Sequence, residues 1–247
     1  MLSKRAWQPE LVLLFVAALM ASFGCAGIAE SLLQKSGWAA FKSPDSFANL
    51  LLGTLSLQGA AWIFIFIFLR WHEVDWRVAF GLRDPNLKKS LRLAAGGLLL
   101  LLPVIFLLQG LSVFLLTKAG LPPENQRAVA MLLAAKSVLA RSYFVFFAVI
   151  IAPVAEEFIF RGMLFPFIKQ LGRPRLAWLG VSFLFALIHL DAAIFVPLFV
   201  FALGLTWLYE KTDCLLAPVF AHALFNAVNL GLLILAEKYG DKFPIHS

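Results

Sequence analysis

Charged residues are scarce in this sequence. They account for 14% of its 247 residues, compared with about 25% in typical soluble proteins. Hydrophobic residues reach 62%, and phenylalanine alone occurs 25 times. A soluble domain of this length could not bury so much apolar surface, so the composition excludes an ordinary soluble fold and predicts an integral membrane protein. Cysteine is also scarce, and the two cysteines form neither a CxxC pair nor a spacing typical of a metal site.

The basic residues outnumber the acidic ones and give a formal net charge of +7. They lie mainly between apolar runs, where anionic lipid headgroups attract them, so we predict the lipid bilayer as a partner and no nucleic acid. The densest basic cluster lies within residues 70–92 and comprises Arg70, Arg77, Arg83, Lys88, Lys89 and Arg92. The positive-inside rule predicts that this segment and the N-terminus are cytoplasmic. The predicted location is the plasma (inner) membrane for a prokaryotic source and the endoplasmic reticulum for a eukaryotic one.

Seven apolar stretches have the length and composition of membrane-spanning helices. About 20 residues cross the hydrocarbon core as a helix, and no stretch shows the two-residue alternation of a barrel strand. We therefore predict an all-α, polytopic, multi-pass membrane protein. The stretches cover residues 11–29, 46–69, 93–117, 142–168, 176–190, 192–209 and 214–236.

Two segments leave an alternative open. Lys4 and Arg5 precede the first stretch as in a signal peptide, but that stretch exceeds the 7–15 apolar residues of a signal sequence, so we expect a retained span. Residues 128–140 are apolar apart from Lys136 and form either an interfacial helix or a short eighth span. The predicted count is therefore seven to eight transmembrane helices.

Three charged residues interrupt the stretch 142–168. A charge near the centre of a spanning helix costs roughly 2.5–3.5 kcal/mol, so Glu156, Glu157 and Arg161 need partners or a function. Glu157 and Arg161 are four residues apart and can form an ion pair on one helical face. Glu156 is rotated by about 100° from Glu157 and has no such partner. We therefore expect Glu157 and Arg161 to support a site in which Glu156 acts directly.

Two later stretches each carry a pair of residues with the same four-residue spacing, and each pair includes a histidine. Phe185 and His189 share one helical face, and His222 and Asn226 share another. A carboxylate, two imidazoles and a carboxamide in an apolar cavity contain the groups needed to hydrolyse an amide. Glu156 would be the general base, and His189 would position or deprotonate the water. His222 and Asn226 would donate hydrogen bonds to the developing oxyanion.

The same residues allow a metal-dependent alternative. Glu156, His189 and His222 could supply three ligands to a zinc ion, with water in the fourth position. The residues alone do not separate this mechanism from a metal-free one. Zinc is thus a possible cofactor, and no other is predicted.

Three motifs in this order resemble those of the CPBP family, the CAAX-processing and bacteriocin-processing (Abi-type) intramembrane proteases. They are Glu156-Glu157-x-x-x-Arg161, Phe185-x-x-x-His189 and His222-x-x-x-Asn226. Gly162 and the segment Phe80-Gly81-Leu82-Arg83 also look like family features. The resemblance covers residues 142–236, which we predict to be the catalytic core. Residues 1–141 would supply further transmembrane helices and the basic cytoplasmic loop.

The resemblance implies an all-helical fold, usually of eight spans, with a site inside the bilayer. It assigns the catalytic carboxylate to Glu156 and water activation to His189. His222 and Asn226 would stabilise the oxyanion, and Glu157 and Arg161 would be supporting. The implied substrate is a membrane-associated protein or peptide, and in eukaryotic members of the family it is a protein with a prenylated CAAX end. Family members are described both as metalloproteases and as glutamate-type proteases, so the resemblance leaves the metal open.

Two functions from other classes compete with the protease. A non-enzymatic membrane scaffold or bacteriocin self-immunity protein would use the same polar cluster to bind a peptide partner. A small transporter would use the cluster as a proton relay, but it predicts repeated halves and interrupted helices, and the sequence shows neither. An intramembrane endopeptidase is therefore the preferred hypothesis.

Overall fold

The computed structural model describes residues 7–41, 46–121, 132 and 137–239 of the chain. These residues fold into helices and connecting turns with no strand among them, which confirms the predicted all-α class. In chain order the helices are α1 (Pro9–Lys35), α2 (Phe47–Trp71), the short α3 (Trp76–Ala79), α4 (Leu87–Lys118), α5 (Val138–Gln170), α6 (Pro174–Leu187), α7 (Ala192–Thr212) and α8 (Leu216–Tyr239).

Six helices of the described chain are long and apolar enough to cross a membrane: α1, α2, α4, α5, α7 and α8. The chain is therefore a multi-pass membrane protein, but the predicted count of seven to eight spans is not confirmed. Helix α6 has 14 residues and is about 21 Å long at 1.5 Å per residue, which is short of the roughly 30 Å hydrocarbon core. The candidate eighth span at 128–140 lies outside the described residues apart from Leu132 and residues 137–140, and Val138 begins α5.

Contacts between helix ends place four parts of the chain at one face of the bundle, here called the basic face. Trp7, before α1, accepts a 2.6 Å hydrogen bond on its carbonyl from the side chain of Gln170 at the end of α5. The carbonyl of Phe80, between α2 and α4, accepts a 3.0 Å bond from the backbone N–H of Leu215, between α7 and α8. The predicted cytoplasmic segments, the N-terminus and the loop 70–92, thus contain residues that meet at the same face.

The opposite ends of α5 and α8 meet at the other face, where Arg141 pairs with Glu237. Helices α5 and α7 therefore run toward the basic face, and α6 and α8 run away from it. This antiparallel order brings the middle of α5 beside the first turns of α8 and the last turns of α7. The polar residues of the first and third motifs lie on α5 and α8, and His189 of the second motif follows the end of α6.

Two clusters of buried apolar side chains meet around His222. One joins α1, α2, α5 and α6 and includes Phe185, and the other joins α4, α7 and α8 and includes Phe201. The imidazole ring centroid of His222 is 5.6 Å from that of Phe185 and 5.5 Å from that of Phe201. Apolar side chains therefore pack closely on both sides of this imidazole.

Helix α5 is not a regular α-helix throughout. Residues Phe147–Ile151 and Phe158–Leu164 are π-helical, a geometry that is rare and occurs frequently at functional sites. Pro153 and Pro166 each follow one of these segments and lack the N–H that a helical carbonyl would accept. The two prolines therefore leave backbone carbonyls in α5 that need donors from elsewhere.

Gly81 allows the loop between α2 and α4 to approach the loop between α7 and α8. Its φ is +64°, and a Cβ atom at this position would overlap the carbonyl oxygen of Asp213. Gly81→Ala should therefore lower the free energy of unfolding by more than about 2 kcal/mol, through left-handed strain and displacement of the Asp213 backbone. Chemical unfolding of the purified protein in detergent micelles measures this change.

Gly37→Ala is the matched control, because Gly37 has a φ of +76° but open space where a Cβ would lie. It should cost only the backbone strain, about 1 kcal/mol. Equal losses in the two variants would contradict the close approach of the two loops.

Candidate active site

Glu157 and Arg161 form a fully buried ion pair in α5, as their spacing predicts. The Arg161 Nη1 atom is 2.9 Å from Glu157 Oε1, and both side chains are 0% exposed. The guanidinium also donates from Nη2 to the carbonyl of Ala202 at 3.0 Å and lies 4.7 Å above the ring of Phe185. These contacts satisfy a charge that would otherwise be costly to bury, and they join α5 to α6 and α7.

Sequence reasoning missed a pair of buried hydroxyl groups that complete the surroundings of Arg161. Thr206 Oγ1 lies 3.4 Å from Arg161 Nε and donates to the carbonyl of Ala202 at 2.9 Å, while Ser182 Oγ lies 3.3 Å from Thr206 Oγ1. The signal available in the sequence was a single threonine within the apolar stretch 192–209. A buried guanidinium has five donors to satisfy, so such a hydroxyl is an expected acceptor.

His222 joins the ion pair from α8. Its Nδ1 atom lies 2.8 Å from Glu157 Oε1, the same oxygen that binds Arg161. A carboxylate paired with arginine can only accept hydrogen bonds, so Nδ1 carries the hydrogen. The opposite ring atom, Nε2, lies 3.8 Å from Oε2 of Glu156. The hydrogen bond to Glu157 therefore orients the imidazole so that its Nε2 atom lies near the carboxylate of Glu156, the predicted catalytic residue.

Glu156 differs from its neighbour Glu157 in its exposure. The Glu156 side chain is 21% exposed, whereas those of Glu157 and His222 are 0% and 4% exposed. Water or substrate can reach Glu156 without opening the helix packing. The two adjacent glutamates thus have different surroundings, as the 100° rotation between them predicts.

The Phe185 ring contacts the Arg161 guanidinium and the imidazole rings of both motif histidines. It is fully buried, and its ring centroid is 5.0 Å from that of His189 and 5.6 Å from that of His222. The Arg161 guanidinium lies over the same ring. The Phe185-x-x-x-His189 spacing therefore places an aromatic wall beside the polar network and sets the position of the following imidazole.

His189 lies just beyond the end of α6 and is exposed. Its Nδ1 atom is 2.7 Å from the carbonyl of Phe185. A carbonyl can only accept, so Nδ1 carries the hydrogen and Nε2 keeps its lone pair. Leu190 then adopts a left-handed conformation, with φ of +51°, and Asp191 caps α7 by accepting from Ala193 N. The chain therefore leaves the helical conformation at the residues around His189.

Asn226 lies one turn beyond His222 and is tied to α5. Its Nδ2 atom donates to the carbonyl of Ala148 at 2.8 Å. Within the π-helical segment, the N–H of Ala152 bonds to Phe147, and the next residue, Pro153, has no N–H to offer Ala148. Asn226 therefore supplies a donor that the helix lacks, and this contact packs α8 against α5.

The predicted zinc ligands do not form a metal site. Among the residues that the structure describes, no three His, Cys, Asp or Glu side chains are placed to hold a metal ion. Glu156 and His222 are neighbours, but His189 does not join them as a third ligand of the kind that a catalytic zinc requires.

A comparison with protein families identifies a relationship for the C-terminal part of the chain. Residues 138–228 match the model of a protein family described as type II CAAX prenyl endopeptidase Rce1-like. The match confirms the predicted family, that of the CPBP/CAAX intramembrane proteases, and covers all three motifs. It implies a hydrolase of the CAAX-protease type acting on a membrane-associated protein. No curated protein and no solved structure matches the chain significantly.

Proposed function

We propose that this protein is an intramembrane endopeptidase that hydrolyses a peptide bond in a membrane-associated protein or peptide, with prenylated CAAX-type ends as the first class to test. The observation that supports it best is the pairing of Glu156 with His222 Nε2, held by a buried Glu157–Arg161 pair. A network that served only to pack the helices would not need a second, partly exposed glutamate beside the buried ion pair. The match to CAAX endopeptidases covers these residues.

Glu156 is the proposed general base. Its carboxylate takes a proton from a water molecule, and the resulting hydroxide attacks the carbonyl carbon of the scissile peptide bond. Glu156 then returns the proton to the nitrogen of the leaving amine as the carbon–nitrogen bond breaks. The products are a new carboxylic acid, which loses its proton to the solvent, and a new amine, and the enzyme returns to its starting protonation.

His189 assists the water in this proposal. Its Nδ1 hydrogen is committed to the carbonyl of Phe185, so Nε2 can accept a hydrogen bond from the water and orient it. The exposed position of His189 beyond α6 is compatible with contact to water and substrate. The proposal thus gives His189 an accepting role and no metal-binding role.

His222 and Asn226 are the proposed oxyanion donors. With Nδ1–H committed to Glu157, His222 presents Nε2 on the Glu156 side and donates from it in the imidazolium form. Asn226 uses one amide hydrogen on Ala148 and has a second to donate. Both donors come from one face of α8.

This mechanism predicts that cleavage does not need a bound metal. Treating the purified protein with a zinc chelator and then removing the chelator should change the rate by less than twofold, because Glu156 alone takes the proton from water and returns it to the leaving amine. The rate is measured before and after treatment, with metal content determined by mass spectrometry. A loss of activity that added zinc restores would contradict the metal-free mechanism.

The function is tested with purified protein in proteoliposomes and two sets of quenched-fluorescent peptides. One set carries a farnesylated C-terminal CAAX sequence, and the other carries a transmembrane anchor without a prenyl group. Cleavage of either set supports the endopeptidase and identifies the substrate class. Binding of a peptide without cleavage, under all conditions tested, would contradict it and favour a scaffold or immunity protein.

A further inference from the structure

Two aromatic side chains from outside the matched segment hold the backbone beside Arg161. Trp7 is 3% exposed, and its indole Nε1 donates a 3.2 Å hydrogen bond to the carbonyl of Gly162. Phe80 is 0% exposed, and its Cε1 atom lies 2.8 Å from the position that a Cβ of Gly162 would occupy. We propose that Trp7 and Phe80 are positioning residues of the proposed peptidase, acting through the π-helical segment Phe158–Leu164.

The hydrogen bond from Trp7 answers a need created by the sequence of α5. Pro166 removes the N–H that would donate to the Gly162 carbonyl in an α-helix, so in this π-helical segment only the N–H five residues later, that of Phe167, is left as a backbone donor. A buried carbonyl without a donor is costly, most of all in a membrane. The indole N–H is a donor only, and it reaches Gly162 from a chain segment 155 residues earlier.

Phe80 is fixed in turn by the loop that connects α7 and α8. Its carbonyl accepts from the N–H of Leu215 at 3.0 Å, and the ring packs 4.5 Å from that of Phe158. Gly81 lets this turn lie directly against Asp213. The ring therefore fills a space bounded by α5 on one side and the start of α8 on the other.

This clamp, defined as Trp7 and Phe80 against Gly162, acts at the residue next to Arg161. Arg161 holds Glu157, and Glu157 holds the Nδ1 of His222. A shift of Gly162 would be passed to the ion pair and to the imidazole through contacts of 2.9 Å and 2.8 Å. Neither clamp residue touches the reacting groups, so the expected effect is on the rate of the chemical step rather than on substrate binding.

Trp7→Phe removes the indole N–H together with part of the buried ring system and keeps an aromatic ring. We expect kcat to fall several-fold while KM stays unchanged, because positions near the reaction are sensitive to small displacements. Amide hydrogen exchange within residues 158–164 should become roughly 2- to 12-fold faster, as expected for loss of one net hydrogen bond. Trp38→Phe is the matched control, because Trp38 is 62% exposed and lies near the opposite face; it should change neither quantity.

A second pair of variants tests Phe80 by compensation. Gly162→Ala places a methyl group against the Phe80 ring and should lower kcat by roughly tenfold or more, since a misplacement of about 1 Å can cost about 100-fold. Combining it with Phe80→Leu removes the overlapping ring atom and should restore most of the loss.

The kinetic tests of this proposal rest on the proposed function, because they require peptide cleavage. The hydrogen-exchange test does not depend on the proposed function. If the wild type cleaves no peptide, exchange alone decides the clamp: faster exchange at residues 158–164 in Trp7→Phe supports it. Unchanged exchange in Trp7→Phe overturns the clamp, whether or not peptides are cleaved. If the wild type does cleave, an unchanged kcat in Trp7→Phe, or no recovery in the double variant, also overturns the positioning role.

Discussion

Glu156→Gln is expected to lower the rate of peptide cleavage by about 10²–10⁴-fold, the usual contribution of a general acid–base residue. Glutamine has nearly the same shape but cannot take a proton from water. The Glu156 side chain is 21% exposed and is not part of the fully buried ion pair, so the fold should survive. The measurements are kcat in proteoliposomes and the unfolding midpoint in detergent.

Glu237→Gln is the matched control for this substitution. Glu237 is also a glutamate near a basic partner, but it pairs with Arg141 at the opposite face of the bundle and its side chain is 37% exposed. The control should cleave as fast as the wild type. Cleavage by Glu156→Gln at the wild-type rate would remove Glu156 from the mechanism and leave the proposed chemistry without its base.

Arg161→Met is expected to lower the free energy of unfolding by about 3–5 kcal/mol, because it leaves the Glu157 carboxylate buried without its cation. Both side chains are fully buried, and the variant also removes one of the two side-chain donors to the Ala202 carbonyl. Chemical unfolding in detergent micelles measures the loss. Arg141→Met breaks an ion pair whose side chains are 37% exposed, so this control should cost no more than about 1 kcal/mol.

The double variant Arg161→Met with Glu157→Leu separates stability from activity. Replacing both members of a buried ion pair by apolar residues is often neutral or stabilising, so most of the lost stability should return. Activity should not return, because His222 loses the acceptor that fixes its Nδ1 hydrogen. Recovery of both quantities would show that the pair serves packing alone and has no part in orienting the imidazole.

The transmembrane helices and the local pairs could be predicted because they depend on neighbours in the sequence. Apolar runs of about 20 residues predict helices from composition alone, and the Glu157–Arg161 pair follows from a separation of four residues. The match over residues 138–228 agrees with the family predicted from the three motifs. The division of the chain at residues 141 and 142 stays a prediction.

The end of α6 could not be predicted from hydropathy. From Leu187 through Leu190 the apolar stretch continues without glycine or proline, yet the helix ends at Leu187. Leu190 takes a left-handed conformation and Asp191 caps the next helix. Tertiary packing overrides the local preference of leucine for a helix here, and it leaves α6 too short to be counted as a span.

The contacts that organise the site could not be predicted because they join distant parts of the chain. His222 meets Glu157 across 65 residues, and Asn226 meets Ala148 across 78. The sequence did contain a hint, since Pro153 must leave a carbonyl of α5 without a backbone donor. It did not contain the identity of the donor, which depends on how α8 packs against α5.

The most direct test of the central claim is the source of oxygen in the cleavage product. Wild-type protein in proteoliposomes is given the two peptide sets in water enriched in ¹⁸O, and the products are analysed by mass spectrometry. We predict a single ¹⁸O atom in the carboxylate of the new C-terminus, absent with Glu156→Gln. Peptides that bind but stay intact, or a product formed equally by Glu156→Gln, would contradict hydrolysis by Glu156-activated water.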